Sequence, residues 1–308
     1  MFELLLEQGV RPALIEQVKE FVAAHPADEA DLPRIQRPPF FYYGAPVWEQ
    51  AITALLSGEN LLLVGNKATG KNILADNLAW IFQRPSWNVS FHVNTDSASL
   101  IGTDTFLDGR VSLRKGPIAR CAESGGFGIL DEINMARNDA LAVLHATLDY
   151  RRLIDVPGYE RIPLRPETRF IATMNYGYIG TRELNEALTS RFVVIQVPAI
   201  GTTQLKKLLL EAFPSLAQTW LEQFALLFHD LQQKNENAEI STKPVDLRGL
   251  LSALKLISNG LNPFAALDMG LVNKSFDPFE QELVRDVIRL RLPAQLKAED
   301  LFPGVSND

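Results

Sequence analysis

The sequence is short of the features that mark secreted and membrane-spanning proteins. Its 308 residues include a single cysteine, Cys121, so an intramolecular disulfide is excluded. No apolar run approaches the roughly 20 residues that a membrane-spanning helix needs. The N-terminus lacks the basic start and the small-residue cleavage site of a secretory signal. We therefore expect a cytoplasmic protein without a membrane span.

Positive charge is also scarce. The chain has 30 Lys and Arg residues against 37 Asp and Glu residues, which gives a net charge of -7. Proteins that bind DNA or RNA usually carry a basic stripe, so this balance argues against nucleic acid as the partner. The hydrophobic fraction of 46% and the charged fraction of 22% are those of an ordinary globular protein with a core of useful size.

Short apolar runs alternate with helical patterns up to about residue 200, and only helical patterns follow. Strands that alternate with helices indicate an α/β fold, with a mostly parallel sheet covered on both faces. The segment "RRLIDVPGYERIPL" predicts a β-hairpin around a "PGY" turn. The predicted strands are 60–65, 88–94, 126–133, 169–175 and 192–198. The predicted domains are an N-terminal helix and linker at 1–40, an α/β domain at 41–200 and a helical domain at 201–308.

The segment "GNKATGKN" matches a phosphate-binding loop at three fixed positions, Gly65, Gly70 and Lys71. An apolar strand precedes it and a helical pattern follows. This order aims backbone N–H groups and the positive end of the helix at a phosphate. Lys71 would add a positive charge at the β and γ phosphates. The candidate nucleotide-binding residues of the loop are Gly65, Asn66, Lys67, Ala68, Thr69, Gly70, Lys71 and Asn72.

Two acids and an amide end neighbouring apolar runs. Asp131 and Glu132 end the run "GFGILDEIN", and Asn175 ends "RFIATMN". Ligands of parallel sheets bind at this carboxyl edge. We expect Asp131 to hold Mg²⁺, directly or through water, and Glu132 to polarise the attacking water as general base. Asn175 is suited to positioning that water. The alternatives are a solvated turn for the acids and a turn-forming role for the asparagine.

The loop departs from the usual pattern at two positions. Asn72 stands where Ser or Thr normally gives Mg²⁺ a hydroxyl oxygen. Its amide oxygen could bind the ion, a water could bridge the two, or metal binding could be weakened or lost. Because both acids are retained, we favour hydrolysis, at a slow rate. Ala68 replaces a common loop glycine, which matters only if that position needs a positive φ.

Together these segments resemble the AAA+ ATPases in order and rough spacing, over about residues 40–260. They are most similar to the MoxR branch, which is related to the dynein-type AAA modules. "SLIGTDTFLDGRVSLRKGPI" resembles that branch's insertion in the second helix, and "RRLIDVPGYERIPLRPETRF" its hairpin before sensor 1. The resemblance implies a P-loop NTPase sheet followed by a helical lid domain. The segments that carry it are "GNKATGKN", "GILDEIN", "FIATMN", "NEALTSRF" and "VDLRGLL".

The resemblance also implies roles for residues outside the loop. Arg191 matches the arginine finger that completes a neighbour's site, and Arg248 matches the sensor 2 of the lid. Tyr43 and Gly44 match the segment that lies against the adenine. Each has an alternative. Arg191 could be a cation at a helix C-terminus, Arg248 a surface arginine and Tyr43 a core aromatic residue.

The resemblance implies a ring-forming homo-hexamer that uses ATP and Mg²⁺ as a chaperone-like motor to mature or activate a partner protein. That partner often carries a von Willebrand factor A domain. Two other functions stay open from the sequence. Asn72 motivates an ATP-gated scaffold that hydrolyses little, and some relatives act as nucleic-acid or restriction-type motors. A metal-chelatase subunit is a variant of the first function.

Overall fold

The computed structural model of the protein describes residues 1–107, 109–156, 158–175 and 183–303. The chain divides into two compact units. Residues 1–66 and 70–198 form the first, and residues 67–69 with the chain from Ala199 onward form the second. The predicted domain boundaries at 40/41 and 200/201 stay predictions.

A five-stranded parallel sheet forms the centre of the first unit, and its strands lie in the order β2 (Ser86–Ser90), β5 (Phe127–Asp131), β8 (Arg169–Met174), β1 (Leu61–Val64) and β9 (Val193–Gln196). The interior strands are apolar along almost their whole length because both faces of the sheet are covered. The predicted α/β architecture is thereby confirmed. The strands of the chain are β1 (Leu61–Val64), β2 (Ser86–Ser90), β3 (Gly102–Leu107), β4 (Arg110–Lys115), β5 (Phe127–Asp131), β6 (Leu153–Ile154), β7 (Ile162–Pro163), β8 (Arg169–Met174) and β9 (Val193–Gln196).

Nine α-helices belong to the described part of the first unit. The segment 138–150 has helical apolar spacing, and it forms two short helices instead of one continuous helix. The helices are α1 (Phe2–Glu7), α2 (Pro12–Ala24), α3 (Ala45–Leu56), α4 (Lys71–Ile81), α5 (Ser97–Ile101), α6 (Pro117–Ser124), α7 (Asn138–Leu141), α8 (Leu144–Leu148) and α9 (Glu186–Thr189).

The N-terminal helices contribute to the core of the α/β unit. Leu5 of α1 and Val18 of α2 are fully buried in the same apolar cluster as Trp48 of α3 and Leu74 of α4. Residues 1–40 therefore contain helices that pack on the α/β unit as well as the predicted linker. This packing brings α1 close to the segment that precedes α3.

Two antiparallel hairpins extend the first unit. The hairpin β3–β4 lies between α5 and α6, within the segment that resembles an insertion in a helix. Phe106 and Val111 are cross-strand partners in it, and their side chains are 73% and 62% exposed. The predicted hairpin at 151–164 is present as β6–β7. Tyr159 of its connecting segment donates a hydrogen bond to Asp104 of β3 at 2.7 Å.

The second unit is helical, and none of its described residues forms a strand. Helices α12 (Leu247–Ser258) and α13 (Pro263–Gly270) pack so closely that a Cβ on Gly249 would lie 2.1 Å from the carbonyl oxygen of Gly270. Across the described ranges of both units, we find no helix with the length and apolar character needed to cross a membrane. The helices are α10 (Thr202–Ala212), α11 (Gln218–Glu236), α12 (Leu247–Ser258), α13 (Pro263–Gly270), α14 (Pro278–Arg291) and α15 (Ala298–Leu301).

Candidate nucleotide site

The predicted phosphate loop connects β1 to α4, as the sequence indicates. Gly70 is the N-cap residue of α4 and has a φ of 85°. Glycine adopts this left-handed conformation without a steric penalty. Ala68 also has a positive φ, 62°. The loop therefore does need a left-handed residue at Ala68, which makes the absence of glycine there a source of backbone strain.

Replacing Ala68 with glycine should relieve that strain. A left-handed alanine costs about 1–2 kcal/mol, which glycine would avoid. The greater conformational freedom of glycine in the unfolded chain offsets about 0.5–1 kcal/mol of this gain. We expect Ala68→Gly to raise the free energy of unfolding by about 0.5 kcal/mol, and Ala68→Val to lower it, because a β-branched residue disfavours positive φ. Thermal melts of the three proteins give the comparison. A melting temperature that falls with glycine would contradict a strained alanine.

Lys71 lies inside the loop that it follows. Its side chain is buried, and its Nζ donates hydrogen bonds to the carbonyl oxygens of Gly65 at 3.0 Å and Asn66 at 2.7 Å. Burial lowers the pKa of Lys71 to about 8, while the charges of Asp131 and Glu132 act in the opposite direction. The ammonium group is thus placed where the predicted loop would hold phosphate, close enough to both acids to be influenced by them.

The two predicted acids are joined through a threonine on the neighbouring strand. Thr173 of β8 donates a hydrogen bond from Oγ1 to Asp131 Oδ1 at 2.6 Å. The same oxygen accepts a hydrogen bond from the backbone N–H of Glu132 at 3.1 Å. Glu132 has a φ of 54°, a conformation that costs energy for a residue with a side chain. Thr173 therefore fixes the turn that separates the two carboxylates.

Asn175 contacts the candidate general base directly. Its Nδ2 donates a hydrogen bond to Glu132 Oε1 at 3.2 Å. The carbonyl oxygen of Asn175 accepts a hydrogen bond from the side chain of Asn134 at 3.0 Å. The carboxyl ends of β5 and β8 thus bring together Asp131, Glu132 and Asn175, as the sequence predicts. The residues that follow Asn175, 176–182, lie outside the described part of the chain.

The residues at this edge fit a magnesium ion better than a metal held by many side chains. Across the described residues, no group of three or more His, Cys, Asp or Glu side chains could hold a metal. Mg²⁺ is usually bound by one or two protein oxygens, with phosphates and waters as its other ligands. Asp131 offers a carboxylate in which one oxygen is oriented by Thr173. Asn72 is half-buried in the first turn of α4, and its side chain makes no hydrogen bond to any described residue.

Arg191 is held by contacts within its own chain. Its Nε donates to the carbonyl oxygen of His145 at 3.1 Å, Nη1 donates to the carbonyl oxygen of Ala187, and Nη2 lies 3.6 Å from Asp149 Oδ2. These contacts resemble the alternative role of Arg191, a cation at a helix C-terminus, because Ala187 belongs to α9. A role in a neighbouring subunit stays a prediction, and would require these contacts to be exchanged for others.

Arg248 lies in the first turn of α12, and its side chain is exposed. Its backbone N–H donates a hydrogen bond to Asp246 Oδ1 at 3.2 Å, so Asp246 caps the helix. The exposed side chain agrees with the alternative of a surface arginine. The sensor 2 role stays a prediction.

The aromatic ring beside the phosphate loop belongs to Tyr42. Ring carbons of Tyr42 lie 3.3 and 3.4 Å from the position that a Cβ on Gly70 would take. The same ring lies 3.0 Å from the corresponding position on Gly44. Tyr43 is half-buried and packs edge-on against Phe41, with ring centroids 6.1 Å apart. The adenine-side role expected for Tyr43 and Gly44 stays a prediction.

Two residues of this site escaped the sequence analysis. Thr173 sits two residues before Asn175, and a buried threonine in an apolar strand gives no sign of a polar contact to the next strand. Tyr42 is next to a predicted residue, and only the path of the backbone decides which of the adjacent rings faces the loop. A polar residue at the carboxyl end of a buried strand is the weak signal that could have found Thr173.

Comparisons with known proteins show what this chain is similar to. Residues 60–192 match the family model of the AAA domain (dynein-related subfamily). The uncharacterized protein YojN of Bacillus subtilis (strain 168) is 34% identical over 243 residues, which cover 77% of this chain and 79% of that protein. An uncharacterized protein of Staphylococcus aureus (strain USA300) is 33% identical over 239 residues, covering 75% and 90% of the two chains. A crystal structure of a protein from Cytophaga hutchinsonii ATCC 33406 aligns with 91% of this chain and 95% of its own, at 13% identity and a TM-score of 0.44.

Proposed function

The chain belongs to the dynein-related subfamily of AAA domain proteins, and on that premise we propose that it binds and hydrolyses ATP. The observation that carries this proposal is the hydrogen-bonded set at the ends of β5 and β8. Thr173 links Asp131 to the backbone of Glu132, and Asn175 binds the Glu132 carboxylate. A solvated turn would have no need for this arrangement beside a buried lysine.

Each residue has a chemical task in the proposed reaction. Lys71 exchanges the carbonyl oxygens of its own loop for oxygens of the β and γ phosphates. Glu132, oriented by Asn175, accepts a proton from the attacking water. Asp131 and Asn72 would hold Mg²⁺, which, when bound, neutralises charge on the phosphates.

We further propose that this activity drives a homo-hexameric ring of the MoxR type that remodels, matures or activates a partner protein. The similarity of sequence to that branch supports it, as does the β3–β4 hairpin, which exposes apolar side chains suited to a protein contact. Arg191 would then serve the site of a neighbouring subunit and Arg248 its own. A partner with a von Willebrand factor A domain and a cytoplasmic location remain predictions.

Asn72 favours a second candidate, an ATP-gated scaffold that assembles on ATP and hydrolyses little. A longer planar amide in place of a hydroxyl group changes the distance at which an oxygen reaches the metal. No observation on the described residues adds support to a nucleic-acid motor.

Phosphate release tests the proposed function. The purified protein with ATP and Mg²⁺ should release phosphate steadily, and Glu132→Gln should abolish the release while leaving ATP binding intact. ATP binding without release would favour the scaffold. No binding of ATP, measured by calorimetry on a folded sample, would overturn both candidates.

Asn72→Thr separates a slow enzyme from a scaffold in the same assay. Restoring the usual hydroxyl ligand should raise turnover by about tenfold if Asn72 binds the metal poorly, which corresponds to about 1.4 kcal/mol of transition-state stabilisation. Equal and measurable turnover of the two proteins would show that the asparagine supports a working site. A release rate that stays at zero in both would leave the scaffold as the better description.

A further inference from the structure

A short segment between the N-terminal helices and α3 is held by side chains from several elements. We call residues Phe40–Gly44 the strap. The side-chain amide of Gln8 binds the strap twice. Its Nε2 donates to the carbonyl oxygen of Tyr42 at 3.2 Å, and its Oε1 accepts from the N–H of Gly44 at 2.8 Å. An amide that pairs with both a C=O and an N–H acts as a neighbouring strand would, and fixes the position of the strap relative to the end of α1.

A second amide holds the strap from the helix that begins at the phosphate loop. Asn77 of α4 is fully buried. Its Nδ2 donates to the carbonyl oxygen of Phe40 at 2.9 Å, and its Oδ1 accepts from the N–H of Tyr42 at 3.3 Å. Trp48 of α3 adds a hydrogen bond from Nε1 to the carbonyl oxygen of Tyr42 at 3.0 Å. The strap is therefore fixed between α1 on one side and α4 on the other.

The strap reaches the phosphate loop through Tyr42. Its ring rests against Gly70, the N-cap residue of α4. Burial raises the pKa of Tyr42 to about 12, so the ring stays neutral at all ordinary pH values. Gly70 and the residues after it carry the first N–H groups of α4, which in a phosphate loop point at the ligand. A displacement of Tyr42 would therefore shift the backbone N–H groups that would bind phosphate.

Gln8 itself has a defined position because α1 ends on it. Gly9 follows with a φ of 88°, its N–H donates to the carbonyl oxygen of Leu6 at 2.9 Å, and the N–H of Val10 donates to the carbonyl oxygen of Leu5 at 3.0 Å. This pair of bonds is the Schellman motif of a helix C-terminus. The side chain of Gln8 therefore extends from a hydrogen-bonded helix end, which gives it a defined starting position.

We propose that Gln8 is a positioning residue of the nucleotide site, which acts through the strap and the ring of Tyr42 to hold the phosphate loop in its binding conformation. This inference rests on the proposed function for its effect on ATP. It makes the N-terminal helix a part of the site, although α1 contributes no group that would touch the phosphates. Without the two bonds of Gln8, part of the free energy of ATP binding would be spent on ordering the strap and loop.

The test replaces Gln8 with methionine, which has a similar length and no hydrogen-bonding amide. In a Glu132→Gln background, which arrests turnover, we expect Gln8→Met to weaken the binding of ATP with Mg²⁺ by about tenfold, the size of one to two net hydrogen bonds. In the background with Glu132 intact, the KM for ATP should rise by a similar factor, while kcat at saturating ATP stays unchanged. Gln17→Met is the matched control, since Gln17 is an exposed glutamine on α2.

A purely structural role for Gln8 would give a different pattern. It would lower the melting temperature and leave the affinity for ATP and the KM equal to those of the Gln17→Met control. That result overturns the proposal.

Amide hydrogen exchange separates this inference from the proposed function. In the nucleotide-free protein, the amides of residues 65–74 should exchange faster in Gln8→Met than in Gln17→Met. If the parent protein binds no ATP, the proposed function fails, and this measurement alone decides the role of Gln8. Equal exchange in the two variants would overturn the link from Gln8 to the loop.

Discussion

Replacing Lys71 with methionine is expected to weaken ATP binding on the order of 100-fold, because hydrogen bonds to charged groups contribute about 1.5–3 kcal/mol each. The ammonium group makes its hydrogen bonds to two loop carbonyl oxygens. A negatively charged phosphate is a stronger acceptor than either. Methionine keeps the apolar part of the side chain buried, so the loss should appear in the affinity and not in the fold. Calorimetric titration with ATP measures it, and Lys207→Met on the exposed side of α10 is the matched control.

The affinity for ATP should also depend on pH through Lys71. Its pKa is lowered to about 8, chiefly by burial. Below that pH the ammonium is already protonated, so affinity should be constant. Above it, phosphate binding must return a proton to the lysine, so affinity should fall by up to about tenfold per pH unit. Lys71→Met should show none of this pH dependence. A wild-type affinity that is flat between pH 7 and 10 would contradict the protonated lysine as the phosphate ligand.

Folding stability gives an independent check of the same pKa. Because the pKa of Lys71 is lower in the folded protein than its usual value of 10.5, the unfolded chain binds more protons between about pH 8 and that value. The free energy of unfolding should therefore rise with pH in this window, relative to Lys71→Met. The difference between the two proteins should be constant below pH 7.

The sequence was sufficient for the parts of the site that lie on one continuous segment. The loop from Gly65 to Lys71 is flanked by a strand and a helix, and both follow from hydrophobic periodicity and from the spacing of glycines. Asp131 and Asn175 could be placed at one edge because the carboxyl ends of parallel strands share it. The resemblance to AAA proteins made these assignments specific.

Contacts between strands could not be predicted in the same way. The register of β5 and β8 pairs Leu130 with Ala172, which brings the next residues, Asp131 and Thr173, side by side. A shift of one residue would have turned the Thr173 side chain to the other face of the sheet. Nothing in a single sequence fixes that register, so the link between the two acids was visible only in the structure.

Backbone conformation was the other missing information. From the sequence, the alanine at position 68 matters only if that position has a positive φ. The structure gives Ala68 a φ of 62°, so the alanine does matter. Tyr42 and Tyr43 are adjacent and of the same residue type, so the sequence cannot distinguish their rings. In the structure the ring of Tyr42 lies against Gly70. Arg191 was expected to serve a neighbouring subunit from its motif alone, while the structure gives its contacts to His145 and Asp149. Local motifs identify the candidate residues, and the fold determines which groups those residues contact.

The position of Thr173 leads to the second large expected effect, a decrease in kcat on the order of 100-fold in Thr173→Val, the cost of a small misplacement of a catalytic group. Valine has the shape of threonine and lacks the hydroxyl group. It would leave Asp131 Oδ1 without its donor and the N–H of Glu132 without its acceptor. The strained turn at Glu132 would then lose the bond that holds it. The measurement is steady-state phosphate release at saturating ATP.

Serine provides the rescue that separates positioning from packing. Thr173→Ser keeps the hydroxyl group and removes a buried methyl group, so it should lower the free energy of unfolding by about 1 kcal/mol and yet retain kcat within about threefold of the parent. Thr168→Val is the matched control, because Thr168 is also fully buried and bonds a backbone oxygen, that of Ala122, next to the opposite end of β8. If Thr173→Val kept the parent kcat, or if serine failed to rescue it, the threonine would be a packing residue and Glu132 would be held by Asn175 alone.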